Sequence, residues 1–185
     1  MKKLLSSVLL SAALFGGSAQ ALANEIGITP QATYQLTQQP ENKVLFIDVR
    51  DPVEIMFIGF SDAVDQNIPY LMVDRNEWQE EQQRFRMERN PDFVSQVEAA
   101  LAAKGLDKDA TIITMCRSGS ERGLPSAEFL REHGFKNARY VVDGFQGSSI
   151  KEGEQKGFRT QNGWQNSNLP WQSKANSDKI YRSGK

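Results

Sequence analysis

The 185-residue chain contains one cysteine, Cys116, set in the stretch Thr111–Gly123, TIITMCRSGSERG. Two guanidinium groups flank it, Arg117 directly after and Arg122 five intervening residues further on. A thiol attacks as its thiolate, and guanidinium neighbours together with a helix N-terminus lower thiol pKa values. Ser118-Gly119-Ser120 supply the small residues that let a backbone curl tightly. Arg122, entering a helix start, is the better placed fork-like partner for an oxyanion. The chemistry this pattern suits is nucleophilic attack by sulfur on a small anionic substrate. A lone cysteine elsewhere is commonly just a small buried hydrophobe. The Gly/Ser loop and the paired arginines argue for the reactive reading here.

Such a thiol has to be held by regular elements on either side. Thr111–Met115 is an apolar, β-branched run bounded by polar residues, the pattern of a buried parallel strand. Leu124-Pro125-Ser126-Ala127 opens a helix, with proline early, where its missing N–H costs nothing. Strand, tight loop and helix in that order aim main-chain N–H groups at an anion. Val44–Asp48 predicts a second buried strand, with Asp48 at its carboxyl end, the edge where sites form in open α/β sheets. Further strands are expected at Ile26–Thr29, Ala63–Ile68 and Ala138–Val142, and a short helix from Pro30 to about Gln38. Glu54–Gly59 is apolar enough to lie against the sheet. Phe93, Val97, Ala100 and Leu101 share one face of a helix that Lys104-Gly105 closes. This alternation predicts an α/β fold with a mainly parallel sheet covered on both faces.

Four stretches in the right order resemble one known family. Cys116-Arg117-Ser118-Gly119 resembles the active-site loop of the rhodanese family. Phe46-Ile47-Asp48-Val49-Arg50-Asp51-Pro52 is similar to its early DVR strand end, and Ala63-Val64-Asp65-Gln66-Asn67-Ile68-Pro69 to its GAxNIP segment. Gly163-Trp164-Gln165-Asn166-Ser167-Asn168-Leu169-Pro170-Trp171 is similar to its closing GWxxxGLPW. The resemblance implies a rhodanese-like α/β fold, a five-stranded, mainly parallel sheet flanked by helices on both faces. It implies sulfur transfer through a persulfide on Cys116, with Arg117, Ser118, Gly119, Ser120, Glu121 and Arg122 around the substrate. Asp48 and Arg50 are then expected to brace that loop from behind, and the turn Asp143–Gly147 to lie near the cleft. The donor would be thiosulfate or a related small sulfur anion, and the acceptor a thiol or cyanide. No metal and no organic cofactor is implied. Two departures stand out. The loop holds five residues between Cys116 and Arg122 where rhodaneses usually place four, which is similar to the phosphatases and arsenate reductases built on the same fold. Phe60 stands where many rhodaneses carry histidine. Two other readings therefore stand beside sulfur transfer: an oxyanion enzyme in which Glu121 supplies a proton, and a non-catalytic sulfur carrier.

Met1–Ala23 reads as a cleaved signal peptide: Lys2 and Lys3, an apolar stretch over Leu4–Phe15, and Ala21-Leu22-Ala23 before Asn24. The apolar stretch falls short of the roughly 20 residues a bilayer span needs, so the expected location is periplasmic, without a membrane anchor once the leader is removed. Loss of its two lysines takes the formal charge from −1 to −3, which gives no reason to expect nucleic acid or anionic membrane as a partner. Residues 24–173 are expected to form one domain and residues 174–185 a polar tail that frays. With one cysteine, no internal disulfide is possible. With one histidine, His133, neither a Ser-His-Asp arrangement nor a multi-histidine metal site can be built. His133 falls in the last turn of its helix, where it faces solvent or the helix dipole. Asp74–Arg89 mixes acids and bases and predicts a solvated helix or loop, with Trp78 and Phe85 as its buried face. Ser148–Gln161 is polar and reads as an inserted loop, and Trp164 and Trp171 as packing anchors.

Overall fold

The computed structural model describes residues 25–183 apart from Pro40; the proposed leader Met1–Ala23 lies outside them. Five strands form the main sheet: β1 Gly27–Ile28, β2 Val44–Asp48, β3 Gln66–Asn67, β6 Thr111–Met115 and β7 Ala138–Val141. Their order is β1-β7-β6-β2-β3, and each neighbouring pair is parallel. β2 is buried at every residue, and β6 at all but Thr111. Neither strand shows the inward–outward alternation of a half-solvated sheet, because both faces are covered. One face carries α3 Phe93–Ala103 and α4 Gly123–Glu132, packed through Phe93, Val97, Leu101 and Leu130 onto Leu45, Ile47 and Ile112. The other carries α1 Pro30–Thr37 and α2 Pro52–Ile58, where Ile55 and Trp164 pack with Phe46, Ile113 and Met115. Alternate residues of each strand thus feed two separate cores.

Local chemistry sets the helix starts. Thr29 caps α1 by accepting from Ala32 N–H at 3.2 Å, and Asp51 caps α2 by accepting from Val53 N–H at 2.9 Å. A proline follows each cap, where its lost donor and fixed φ cost least. The short β3 is held from the side by Asn67, whose side-chain amide donates to the carbonyls of Asp48 and Arg50, both at 2.9 Å.

Two stretches differ from what the sequence predicts. Residues 71–89 form an antiparallel hairpin, β4 Leu71–Gln79 and β5 Arg84–Arg89, where a helix or loop was expected. Its charged residues alternate in sign across the two strands, as in the Glu77–Arg86 contact, and such cross-strand pairs favour a ribbon as readily as a helix face. Trp78 and Phe85 do not form a buried face: they remain 47% and 42% exposed and pack edge-on against each other, 5.3 Å apart. The C-terminal stretch does not fray within the described residues. Asn67 N–H donates to Lys179 O at 2.8 Å, and Lys179 Nζ reaches the carbonyls of Asp62 and Val64. Ile180 packs against the second core. An unpaired strand edge exposes main-chain donors, and this segment covers part of the β3 edge. Of the two tryptophans expected as packing anchors, Trp164 is fully buried whereas Trp171 is 43% exposed.

Candidate active site

Since the strands are parallel, β2, β6 and β7 all end at one edge of the sheet, and Cys116 follows the last residue of β6 there. The residue is only 1% exposed. Its Sγ accepts a hydrogen bond from Gly119 N–H at 3.2 Å. Gly119 has φ +81°, and a side chain there would meet Asp143 N at 2.9 Å, so the loop's curl depends on glycine. Among the described residues, no protein acceptor takes a hydrogen bond from the N–H of Ser118, Ser120, Glu121 or Arg122. Unpartnered amides in a closed turn are what an anion-binding loop offers. Thr114 Oγ1 donates to Gly123 O at 3.0 Å and so ties the end of β6 to the start of α4 across the loop.

Arg122 is nearly buried, and its guanidinium donates to both carboxylate oxygens of Glu54, at 2.5 and 3.1 Å. Burial pulls its proton affinity down. The hydrogen bond and charge of Glu54, then Cys116 and Glu121, outweigh that and raise the pKa above the ordinary arginine value. Its Nε is buried without a partner. Arg117 is half-buried and donates from Nε to Gln146 Oε1 at 2.8 Å. Burial first, and then the charge of Arg159, hold its pKa below the ordinary value. Ser118 and Ser120 lie at the loop surface with their hydroxyls 3.1 Å apart. Glu121 is exposed at the rim and ion-pairs with Arg84 of β5.

Behind the loop, Asp48 and Arg50 form a fully buried ion pair at 2.6 Å. Arg50 also donates to Gly59 O at 3.0 Å and lies 4.2 Å above the ring of Phe145. Phe145 N–H in turn donates to Cys116 O at 2.8 Å, and Gln146 N–H to Arg117 O at 2.8 Å. The pair therefore reaches the cysteine loop through the turn after β7. Gly144, at φ +58°, sits against this junction: a Cβ there would lie 2.4 Å from Cys116 O and 2.7 Å from Gly119 N.

All the residues expected near Cys116 sit in or behind this loop, with Glu121 on its outer rim. His133 closes α4, with Nδ1 2.8 Å from Phe129 O, at the end of the helix away from the cysteine loop. Three further residues belong to the arrangement. Glu54 clamps Arg122, Gln146 holds Arg117, and Arg159, from the polar stretch 148–161, donates to Gly147 O. Glu54 had one signal in the sequence, an acidic residue in the first turn of a helix that starts at the active edge. Gln146 lies in the turn Asp143–Gly147 already expected near the cleft, while Arg159 depends on how the chain folds back after β7, which has no periodic pattern.

Residues 29–150 match the family described as "Rhodanese-like domain". An uncharacterized protein of Rickettsia prowazekii is 36% identical over 64 residues, 35% of this chain and 43% of its own length. A second, from Rickettsia conorii, is 36% identical over 63 residues, 34% of this chain and 42% of that one. The chain spans less than half the length of these curated relatives. Among solved structures, the 30 kDa polysulfide-sulfur transferase homodimer from Wolinella succinogenes aligns with a TM-score of 0.41 and 25% identity. That alignment covers 71% of this chain and 79% of the other.

Proposed function

The chain belongs to the rhodanese-like family, and on that premise we propose that it is a sulfurtransferase working through a Cys116 persulfide. The Cys116 thiolate attacks the outer sulfur of thiosulfate or a related sulfane donor. An S–S bond forms to Cys116 as the bond between outer and inner sulfur breaks, and the electron pair leaves with sulfite. An acceptor thiolate, or cyanide, then attacks the outer sulfur of the persulfide and returns Cys116 to its thiolate. The two half-reactions share the enzyme and not a ternary complex, so the kinetics are ping-pong. The observation that carries the reading is the Gly119 N–H directed at Sγ within a loop of otherwise unpartnered amides. Preorganised donors in a site with little water are worth several kcal/mol for charge that develops on sulfur. Arg122, fixed by Glu54, adds a permanent positive charge beside it. Asp48 and Arg50 hold the loop in shape through Phe145 and do not touch substrate.

The five-residue spacing from Cys116 to Arg122 favours a second reading, attack on phosphorus or arsenic. Glu121, the proton donor that reading needs, ion-pairs with Arg84 at the exposed rim. One experiment separates the two. Intact-mass spectrometry of the reduced protein after thiosulfate should show one added sulfur, absent in Cys116→Ser. Steady hydrolysis of an aryl phosphate with no sulfur adduct would overturn sulfur transfer in favour of oxyanion chemistry. Export to the periplasm stays part of the proposal, on the leader-like pattern of Met1–Ala23.

A further inference from the structure

Beside the cysteine loop the fold builds a second cationic feature that sulfur transfer at Cys116 does not itself require. Arg117 and Arg159 are both anchored on the turn Gln146-Gly147. Arg117 donates from Nε to the Gln146 side chain at 2.8 Å, and Arg159 donates from Nη1 to Gly147 O. The stretch that brings Arg159 back is pinned rather than loose. Ser148 N–H donates to Asn162 Oδ1 at 2.9 Å, and the Asn166 side-chain amide donates to the carbonyls of Asn162, Arg159 and Gln146. Gly147 leaves no room for a side chain, since a Cβ would fall 2.1 Å from Asn162 Oδ1. Among the described residues, no carboxylate ion-pairs with either Arg117 or Arg159. The nearby acids Asp48 and Glu54 are occupied by Arg50 and Arg122. Two guanidinium groups anchored on neighbouring residues, neither with an ion-paired carboxylate of its own, favour an anion placed with them. The lowered proton affinity of Arg117, caused first by burial and next by Arg159, agrees with that placement.

The two arginines of the loop are anchored on different elements: Arg122 on Glu54 of α2, and Arg117 on Gln146 of the turn after β7. The sulfonate of thiosulfate is one bond from the reacting sulfur and so belongs to the loop amides and Arg122. A group held by Arg117 and Arg159, over the turn after β7, is then the anionic end of a larger substrate than thiosulfate. We propose that Arg117 and Arg159 form a subsite for the carboxylate of the acceptor, which is then a small thiol carrying a carboxylate group. A planar carboxylate matches the donor fork of a guanidinium, and a pair of such forks fixes its orientation as well as its charge. The acceptor thiolate attacks the outer sulfur of the Cys116 persulfide. The new S–S bond forms on the acceptor as the Cys116–sulfur bond breaks, and Cys116 leaves as thiolate with no net oxidation.

This assignment rests on the persulfide reading, and the test keeps the two apart. Persulfide loading from thiosulfate is first followed by intact mass. The loaded protein is then discharged with β-mercaptopropionate and, separately, with its uncharged amide. The wild type should prefer the carboxylate form, and added salt should erode that preference by screening. In Arg159→Gln the ratio of kcat/KM for carboxylate over amide should fall about tenfold or more, the size expected for a lost charge-assisted contact. Arg159→Lys should recover part of it. Because both thiols are compared within one protein, a general weakening of the loop leaves the ratio unmoved. Loading with no carboxylate preference, or a ratio untouched by Arg159→Gln, overturns the subsite alone. Absence of loading overturns the subsite together with the persulfide reading.

Discussion

At the scale of single residues, the site depends on a few contacts that cannot be exchanged for similar ones. Glu54 is the clearest case. Its carboxylate takes two hydrogen bonds from an Arg122 side chain that is only 5% exposed, so removing its charge strands a buried guanidinium. Glu54→Gln should destabilise the protein by about 2 kcal/mol in urea unfolding and slow persulfide formation about tenfold or more. Unchanged stability and rate would mean that Arg122 is held by something else. Gly144 makes a different demand. Any side chain there meets main-chain atoms of the cysteine loop, at distances backbone cannot relieve by a rotamer change. Gly144→Ala should therefore cost about 3 kcal/mol or more and abolish sulfur loading, read by thermal melting and intact mass. That Cys116, both arginines and the Ser/Gly stretch share one loop between strand and helix was legible in the sequence because they lie close together in the chain. Glu54 and Arg159 were not, because each acts through a residue far from it in the chain; Gln146 was legible only as part of the turn Asp143–Gly147.

At the scale of elements, the β4–β5 hairpin and the C-terminal stretch make opposite contributions. The hairpin is a two-stranded ribbon with most of its side chains in solvent, and such ribbons are marginal on their own. Its Arg84–Glu121 ion pair joins two half-exposed side chains, a kind of contact that contributes about 0–1 kcal/mol. Amides of residues 74–86 should exchange with deuterium far faster than those of β2 and β6, and Arg84→Ala should leave the melting temperature nearly unchanged. Protection equal to that of β6 would show that the hairpin is part of the core. The C-terminal stretch, in contrast, covers a strand edge and adds Ile180 to a core. Truncation after Ser173 should lower stability by about 1–3 kcal/mol, measured by urea unfolding. Strands β2 and β6 were legible to the residue, since continuous burial leaves an uninterrupted apolar run. The hairpin and the docked tail were misread for one reason. Both are polar, and polarity says that an element faces water without saying which element it is.

At the scale of the whole molecule, the all-parallel sheet brings every functional contribution to one edge: Cys116 after β6, Asp48 and Arg50 at the end of β2, Gln146 after β7. The two cores on either face hold those strand ends in register, so the loop amides are set before any substrate arrives. The overall architecture followed from the strand–helix alternation, because a parallel sheet covered on both faces is the packing such a pattern permits. What alternation does not encode is the return of the chain after β7, which supplies Arg159 and the Asn162–Asn166 clasp. On the proposed function, this framework keeps one sulfur ready to accept another. Intact-mass spectrometry of the wild type and Cys116→Ser after incubation with thiosulfate tests it most directly. The wild type should gain one sulfur atom, removed by excess thiol, and the variant none. A wild type that stays unmodified, or a variant that still takes up sulfur, would contradict it.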